Sequence, residues 1–358
     1  MLTIIDKYII KKFLSTYFFM LGIIMLLSMV FDISARLGEF IENKAPLKAI
    51  FIDYYLNFLV YYGNTFSPLI TFISVIWFTA KLAQDSEIIP LLYSGRPFLR
   101  IVRPYMISAT ILMLLSLFIN NYLLPISNKI RLNFEDKYYN NHLEVRDYHA
   151  EIQPGKYIYF SYFNSDNKIV NNITIEEWDK FNSPVKFTRA TTAKNIKNTN
   201  IWELKNYYIR KFGVTNDSII TGENLTTKLI FSNKDFEMRD ETCETMSQLE
   251  LKKFISYEQK KGSQNTAIFK LVMHQRISLP FATYVLTLIG IAVSSRKKRG
   301  GIGVNIAIGL GFVFIYIFAM KVTNVAALNV GFPPLIAVWI PNILFGILGI
   351  YLYKIAPK

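Results

Sequence analysis

Cysteine occurs once in the 358 residues, at Cys243, and histidine three times. A single thiol excludes an internal disulfide framework and any multi-cysteine zinc site. His142, His149 and His274 share no metal-ligand spacing with a carboxylate, and solvated loop histidines explain them better. No G-x-x-x-x-G-K-[ST] phosphate loop is present. The glycines of "RGGIGVN" (299–305) lack the following lysine and hydroxyl and read as a flexible turn. Nothing here points to a cofactor, and energy for uphill work would have to come from another chain. Glycine-rich repeats and low-complexity tracts are also missing. Acids are scarce, 26 against 40 bases, for a net charge of +14.

Apolar residues, by contrast, make up 52% of the chain, with a mean hydropathy of +0.26, so a membrane protein is favoured over two soluble domains. Six apolar runs are long enough to cross a bilayer: Phe13–Phe31, Phe58–Leu82, Pro104–Pro125, Leu271–Val293, Ile302–Val325 and Pro334–Tyr353. The polar segment 127–270 between the third and fourth holds 19 acids and 22 bases, so most of the excess charge lies elsewhere. The chain thus divides into 1–126, 127–270 and 271–358. At the span ends one side carries thirteen bases: Lys7, Lys11, Lys12, Lys81, Arg96, Arg100, Arg103, four within 296–299, Lys354 and Lys358. The opposite short loops carry only Arg36, Lys44 and Lys48, offset by Asp32, Glu39, Glu42 and Asp53. The positive-inside rule then places both termini in the cytoplasm and 127–270 outside. The basic balance is a topology signal, not a nucleic-acid footprint. The first run is longer than the usual ~7–15-residue signal core, and no small-x-small site ends it, so it is read as a retained span.

The outer insert reads as β structure. "KYIYFSYF" (156–163), "NNITIEEW" (171–178) and "NIWELKNYYIRKF" (200–212) are aromatic-rich or alternating, and turn residues at 164–168, 181–184 and 213–218 punctuate them. A sandwich or open jelly roll of short antiparallel strands is expected. "SQLELKKFISYEQKKG" (247–262) spaces apolar residues at partly helical intervals and stops at Gly262, so a helix precedes the fourth span.

Polar residues within spans mark candidate sites, since a charge near a helix centre costs roughly 2.5–3.5 kcal/mol on insertion scales. Arg276 and Lys321 lie near the outer ends of the fourth and fifth spans. Snorkelling to the interface competes there with a contact to lipid phosphate. Asn120 and Asn121 end the third span and read as interfacial.

Between the second and third spans stands "LAQDSEIIPLLYSGRP" (82–97). Ser86 can cap a helix beginning at Glu87, Pro90 falls in or near the first turn, and Gly95 with Pro97 ends it. Ile88, Ile89, Leu91 and Leu92 make an apolar stripe, suited either to lipid or to a groove on a soluble partner.

Three stretches, "DSEIIPLLYSGRPFLRIVRP" (85–104), "HQRISLPFATYVLTLIGIAVSSRKKRGGIGVNIAIGLGF" (274–312) and "GFPPLIAVWIPNILFGILGIYLYK" (331–354), with "NIWELKN" (200–206), resemble the LptF/LptG (YjgP/YjgQ) permeases. The resemblance covers nearly the whole chain. It implies a six-span inner-membrane protein of Gram-negative bacteria with a jelly-roll-like periplasmic domain between helices three and four. As such a permease the chain would extract lipopolysaccharide from the outer leaflet. Its implied partners are a cytoplasmic ATPase dimer, a second permease subunit and a periplasmic β-jelly-roll bridge. On this resemblance Glu87 sits at the acid that contacts the ATPase, with Ile88, Leu91, Leu92 and Gly95 completing the coupling helix. Arg36, Lys44 and Lys321 are the bases expected to face lipopolysaccharide phosphates. Pro90 departs from the small or apolar residue of the family pattern, which leaves the start of that helix open. Two other classes fit less well: another ABC-type lipid or lipoprotein exporter, whose large outer domain would follow the first span, and a membrane-embedded glycolipid-modifying enzyme, which would need clustered acids or histidines at the outer face.

Overall fold

The computed structural model describes residues 3–85, 87, 98–138, 144–164, 168–179, 181, 183–196, 200–213, 216–229, 240–260, 266–294 and 301–355. Among these, six helices are long and apolar enough to cross a membrane. The chain splits into two compact units. One comprises residues 1–131, 244–248 and 267–358, and the other 132–243 and 249–266.

In the helical unit, α1 (Ile4–Glu42) opens on a capping box: the Asp6 N–H donates to Thr3 Oγ1 and the Thr3 N–H to the Asp6 carboxylate. Its 39 residues rise about 58 Å at 1.5 Å each, nearly twice the roughly 30 Å of hydrocarbon a span must cover. The apolar run at 13–31 is therefore only the middle of this helix, and Arg36 lies on its last turns instead of in a following loop. A turn with Lys44 in the left-handed region (φ 51°) ends it. The second span is reached through α2 (Leu47–Ala49), a π-helical stretch (Ile50–Tyr55), α3 (Leu56–Thr65) and α4 (Ser67–Gln84). The break at Phe66 precedes Pro68, which cannot supply a backbone donor to a continuous ladder. The third helix is also compound: α5 (Phe98–Phe118), a π stretch (Ile119–Leu123) and α6 (Leu124–Tyr138). The sequence thus places the start of the outer segment, at 127, inside helix. After the insert come α7 (Gln248–Lys260), α8 (Thr266–Ser294), α9 (Gly301–Asn329) and α10 (Pro334–Ile355).

α4 is the centre of the helical unit, with 72% of its apolar window buried against 6% for α1. Phe72 and Ile76 pack with Leu286, Ile289, Val313 and Phe345 from α8, α9 and α10. Ile70, Val75, Phe78 and Leu82 pack with Ile9, Phe13 and Tyr17 of α1 and with Ile101, Tyr105 and Leu112 of α5. Contact between α4 and α8 is close enough that a Cβ on Gly290 would stand 2.9 Å from Val75 Cγ1.

The second unit is built on one antiparallel sheet in sequential order: β1 (Glu144–Gln153), β2 (Lys156–Asn164), β3 (Ile169–Trp178), β4 (Pro184–Asn195), β5 (Ile201–Lys211) and β6 (Ser218–Lys228). The insert is β-rich as the sequence implies, and its described strands follow a plain meander, each of nine to twelve residues. Asp147, Asn172 and Asn206 adopt left-handed φ values of 48°, 51° and 50° within β1, β3 and β5. The pairing register puts them in one row across the sheet, with Ser161, Thr191 and Glu223 of the intervening strands. Along this row the inward-facing positions slip by one residue. Ile158 and Phe160 give way to Phe163, Val170 to Ile173 and Ile175, Ala190 to Ala193, and Trp202 and Leu204 to Ile209. The row is a crease: each strand reverses its alternation there, so apolar residues on both sides of it join one core. Asn and Asp occupy it because their short polar side chains tolerate φ > 0 better than other non-glycine residues.

The one thiol is buried. Cys243 is 1% exposed, so impermeant labelling of the native cysteine cannot report topology. A Phe181→Cys substitution in a Cys243→Ala background places a thiol at a turn position that is 88% exposed. Membrane-impermeant maleimide should label it in spheroplasts whose inner membrane is intact. Labelling only after that membrane is opened would reverse the orientation read from charge.

The crease yields an inverted propensity test. Asn206→Val raises strand propensity at an exposed position, yet should destabilise the purified protein by about 1–2 kcal/mol because valine is disfavoured at φ > 0. Asn206→Gly should be close to neutral. Equal melting of the Val variant and the parent would show that the crease is not held by left-handed backbone.

Candidate functional site

Three clusters in the helical unit bring together the polar residues of the spans. The first lies at the C-terminal end of α1. Asp32 Oδ1 accepts from Arg36 Nε at 2.7 Å, and Asp32 Oδ2 accepts from the hydroxyls of Tyr54 at 3.0 Å and Tyr55 at 3.3 Å. Two consecutive α-helical residues point about 100° apart and rarely reach one atom. The π stretch Ile50–Tyr55 widens the turn there, and both rings are buried against Phe58 as well. The Arg36 guanidinium also lies 5.9 Å from the Tyr54 ring. Arg36 is therefore an ion-paired, partly buried group; of the two acids one turn away, Asp32 is the partner seen. Lys44 and Lys321 are exposed. Tyr54 and Tyr55 escaped the sequence reading, since nothing in a hydropathy pattern signals a π turn.

The second cluster lies at the other end of α1. Arg100 Nη2, at the start of α5, pairs with the buried Asp6 carboxylate at 2.8 Å. Two residues further on, the Tyr8 hydroxyl donates to Glu87 at 3.1 Å, and the Glu87 N–H donates to the Leu82 carbonyl. Glu87 is thus exposed and anchored beside the start of α1. Ser86, Ile88, Ile89, Pro90, Leu91, Leu92 and Gly95 lie outside the described residues, and with them the expected amphipathic helix.

The third cluster is a buried polar seam. Asn64 Nδ2 donates to Asn120 Oδ1 at 2.9 Å, and Ser116 donates to Asn64 Oδ1 at 2.8 Å. Ser127 donates to Asn57 at 2.8 Å. Asn120, read from sequence as interfacial, is 6% exposed and sits in the second π stretch. Arg276 is 3% exposed and donates to the Glu244 carbonyl at 3.3 Å, so it does not snorkel to a lipid surface. Its burial was hidden from the sequence because its partner comes from a distant part of the chain. A small cavity of about 130 Å³ lies at this seam, lined by Tyr61, Asn64, Asn120, Glu244 and Arg276. Asn64 bonds Asn120 and Arg276 Nη2 bonds the Glu244 carbonyl there, which suits a structural joint between helices.

The β unit holds a groove of about 250 Å³ whose floor is apolar, with Ile152, Ile175, Leu204, Ile209 and Leu225. Lys156, Lys186 and Lys228 stand at its rim, where Lys156 and Lys186 each approach Glu177 at 3.4 Å. Apolar walls below a cationic rim match an amphiphile with acyl chains and an anionic head. Among the described residues, no reacting pair of nucleophile and base is assembled in these places.

Comparison with curated proteins gives no match. The family model described as lipopolysaccharide export system permease LptF/LptG matches residues 7–355. Six apolar helices with a β-rich unit in mid-chain, matched over nearly the full length, place this chain in the LptF/LptG family, a multi-pass membrane permease component and not itself an enzyme.

Proposed function

We propose that the chain is one permease half of an ATP-driven exporter that takes lipopolysaccharide from the outer leaflet of the inner membrane and hands it to a periplasmic β-jelly-roll bridge. The observation that carries this reading is the family match across both the helical and the β units. In it, both termini face the cytoplasm, where a dimeric ATPase supplies the hydrolysis, and a second permease of the same layout completes the cavity. Three features support it. A long first helix carries a basic group at its outer end and bases at its inner end. The connection after α4 presents an exposed acid. The β groove pairs an apolar floor with a cationic rim.

Within this reading Arg36, Lys44 and Lys321 attract the phosphates of the lipid. Because Arg36 begins in an ion pair, phosphate would exchange with Asp32 for the guanidinium, a planar fork that holds either anion through paired hydrogen bonds. Glu87, with Ile88, Leu91, Leu92 and Gly95, docks the ATPase.

Arg36→Ala removes the cation that balances Asp32, so the substitution is best made together with Asp32→Asn. Loss of one cation beside an anionic lipid surface, about 1 kcal/mol, should slow export about fivefold. A photoreactive residue at position 36 should capture lipopolysaccharide in the ATPase-competent complex. Capture of bulk phospholipid alone, with unimpaired export, would leave Arg36 as an anchor of α1.

Glu87→Lys sets a cation against the partner's base. The expected result is loss of the copurifying ATPase, or hydrolysis uncoupled from export, with normal membrane insertion. Full export by this variant would remove Glu87 from the coupling contact.

A further inference from the structure

Along α1, residues Tyr8, Lys11, Lys12, Ser15, Thr16, Phe19 and Met20 fall at helical spacings of three and four and so form one stripe. The stripe is distinct from the face of Ile9, Phe13 and Tyr17, which is buried in the core. With Trp77 of α4 it lines a groove of about 570 Å³. Polarity along the groove is graded. Two cations come first, then two hydroxyls one turn deeper, then Phe19, 65% exposed, and Trp77, 41% exposed. A phospholipid has the same order from phosphate through glycerol esters to acyl chain, over a similar depth of about 10 Å between Lys12 and Phe19. Lys12 is held over the Tyr8 ring at 5.0 Å, and the Tyr8 hydroxyl is fixed by Glu87. Asp85 and Glu87 are the acids near Lys12. With Asp6 and its partner Arg100 counted too, Lys7, Lys11, Lys12 and Arg100 outnumber the three acids at this end of the helix.

We propose that this groove binds one anionic phospholipid, its phosphate between Lys11 and Lys12, its glycerol at Ser15 and Thr16, and an acyl chain along Phe19, Met20 and Trp77. Basic pockets between spans that bind anionic headgroups are a recurrent use of such geometry. The occupant is not the exported lipid at its uptake position. Lys12 and Arg36 are separated by about 36 Å of helix rise, a full bilayer core, so the groove opens to the leaflet opposite Arg36. Assigning that leaflet to the cytoplasmic side rests on the orientation proposed above. The preference for anionic lipid does not.

Trp77 gives a local readout. The full protein is reconstituted in phosphatidylethanolamine vesicles carrying a fraction of either brominated-chain phosphatidylglycerol or brominated-chain phosphatidylethanolamine. Quenching assigned to position 77 is the difference between the parent and Trp77→Phe. The expected result is an apparent preference for phosphatidylglycerol on the order of tenfold, because the ammonium of phosphatidylethanolamine offsets its phosphate and repels the two lysines. Lys11→Gln with Lys12→Gln should abolish it, and Lys11→Arg with Lys12→Arg should keep it. Equal quenching by the two lipids in the parent, or a preference that survives the glutamine pair, overturns the proposal. So does an unquenched Trp77, which would mean that protein covers the groove, or a preference erased by soluble glycerophosphate, which would make the site one for small phosphates. Confining the brominated lipid to one leaflet tests orientation separately, so a reversed topology would change the leaflet without removing the preference.

Discussion

A hydrocarbon layer offers no hydrogen bonds, so the larger polar groups of a span are costly unless they find a partner inside the protein. That constraint organises the helical unit. Where the backbone departs from α geometry, at Ile50–Tyr55 and Ile119–Leu123, side-chain polar groups gather and are paired. The first departure aims two tyrosines at Asp32, and the second holds Asn120 against Asn64. Arg276 Nη2 likewise donates to a backbone carbonyl, that of Glu244. The irregular turns are sites where one helix is fixed to the next, the first of them beside Arg36.

The long first helix links the functional ends. It is the most exposed of the six candidate spans and carries distinct chemistry at each terminus. Near its start are the Asp6–Arg100 pair, the Tyr8–Glu87 contact and a graded lysine-to-aromatic groove. Near its end is the Asp32–Arg36 pair. Under the proposed function, Glu87 and Arg36 would be joined by this one helix, through the Tyr8–Glu87 hydrogen bond at its start.

Hydropathy alone made the six spans legible, because about 20 consecutive apolar residues have few other uses. The helix at 248–260 and the strands at 156–164, 169–178 and 201–211 were also readable, from period and turn residues. The crease was not. A single Asn or Asp in the left-handed region looks like any polar residue of a strand, and the slip it causes makes alternation seem to fail at mid-strand. β1 was obscured for this reason, as its apolar positions change phase at Asp147. Helix length was misjudged where polar residues continue a span, as in Arg36 on α1 and Asn128 on α6, since hydropathy marks the lipid-facing part and not the end of the helix. Among the site residues, Arg36 with Asp32 was foreseeable at a spacing of four. Tyr54, Tyr55 and the Arg276–Glu244 contact depend on tertiary placement that no local pattern encodes.

The central claim is that this chain works as one half of a lipopolysaccharide permease driven by a separate ATPase. It is tested most directly by purifying the tagged protein from its native membrane in mild detergent and identifying what co-elutes. The account predicts an ATPase chain, a permease subunit of the same three-span, β-insert, three-span layout, and bound lipopolysaccharide. Recovery of the chain with none of these, or with lipoprotein in place of lipopolysaccharide, would contradict it.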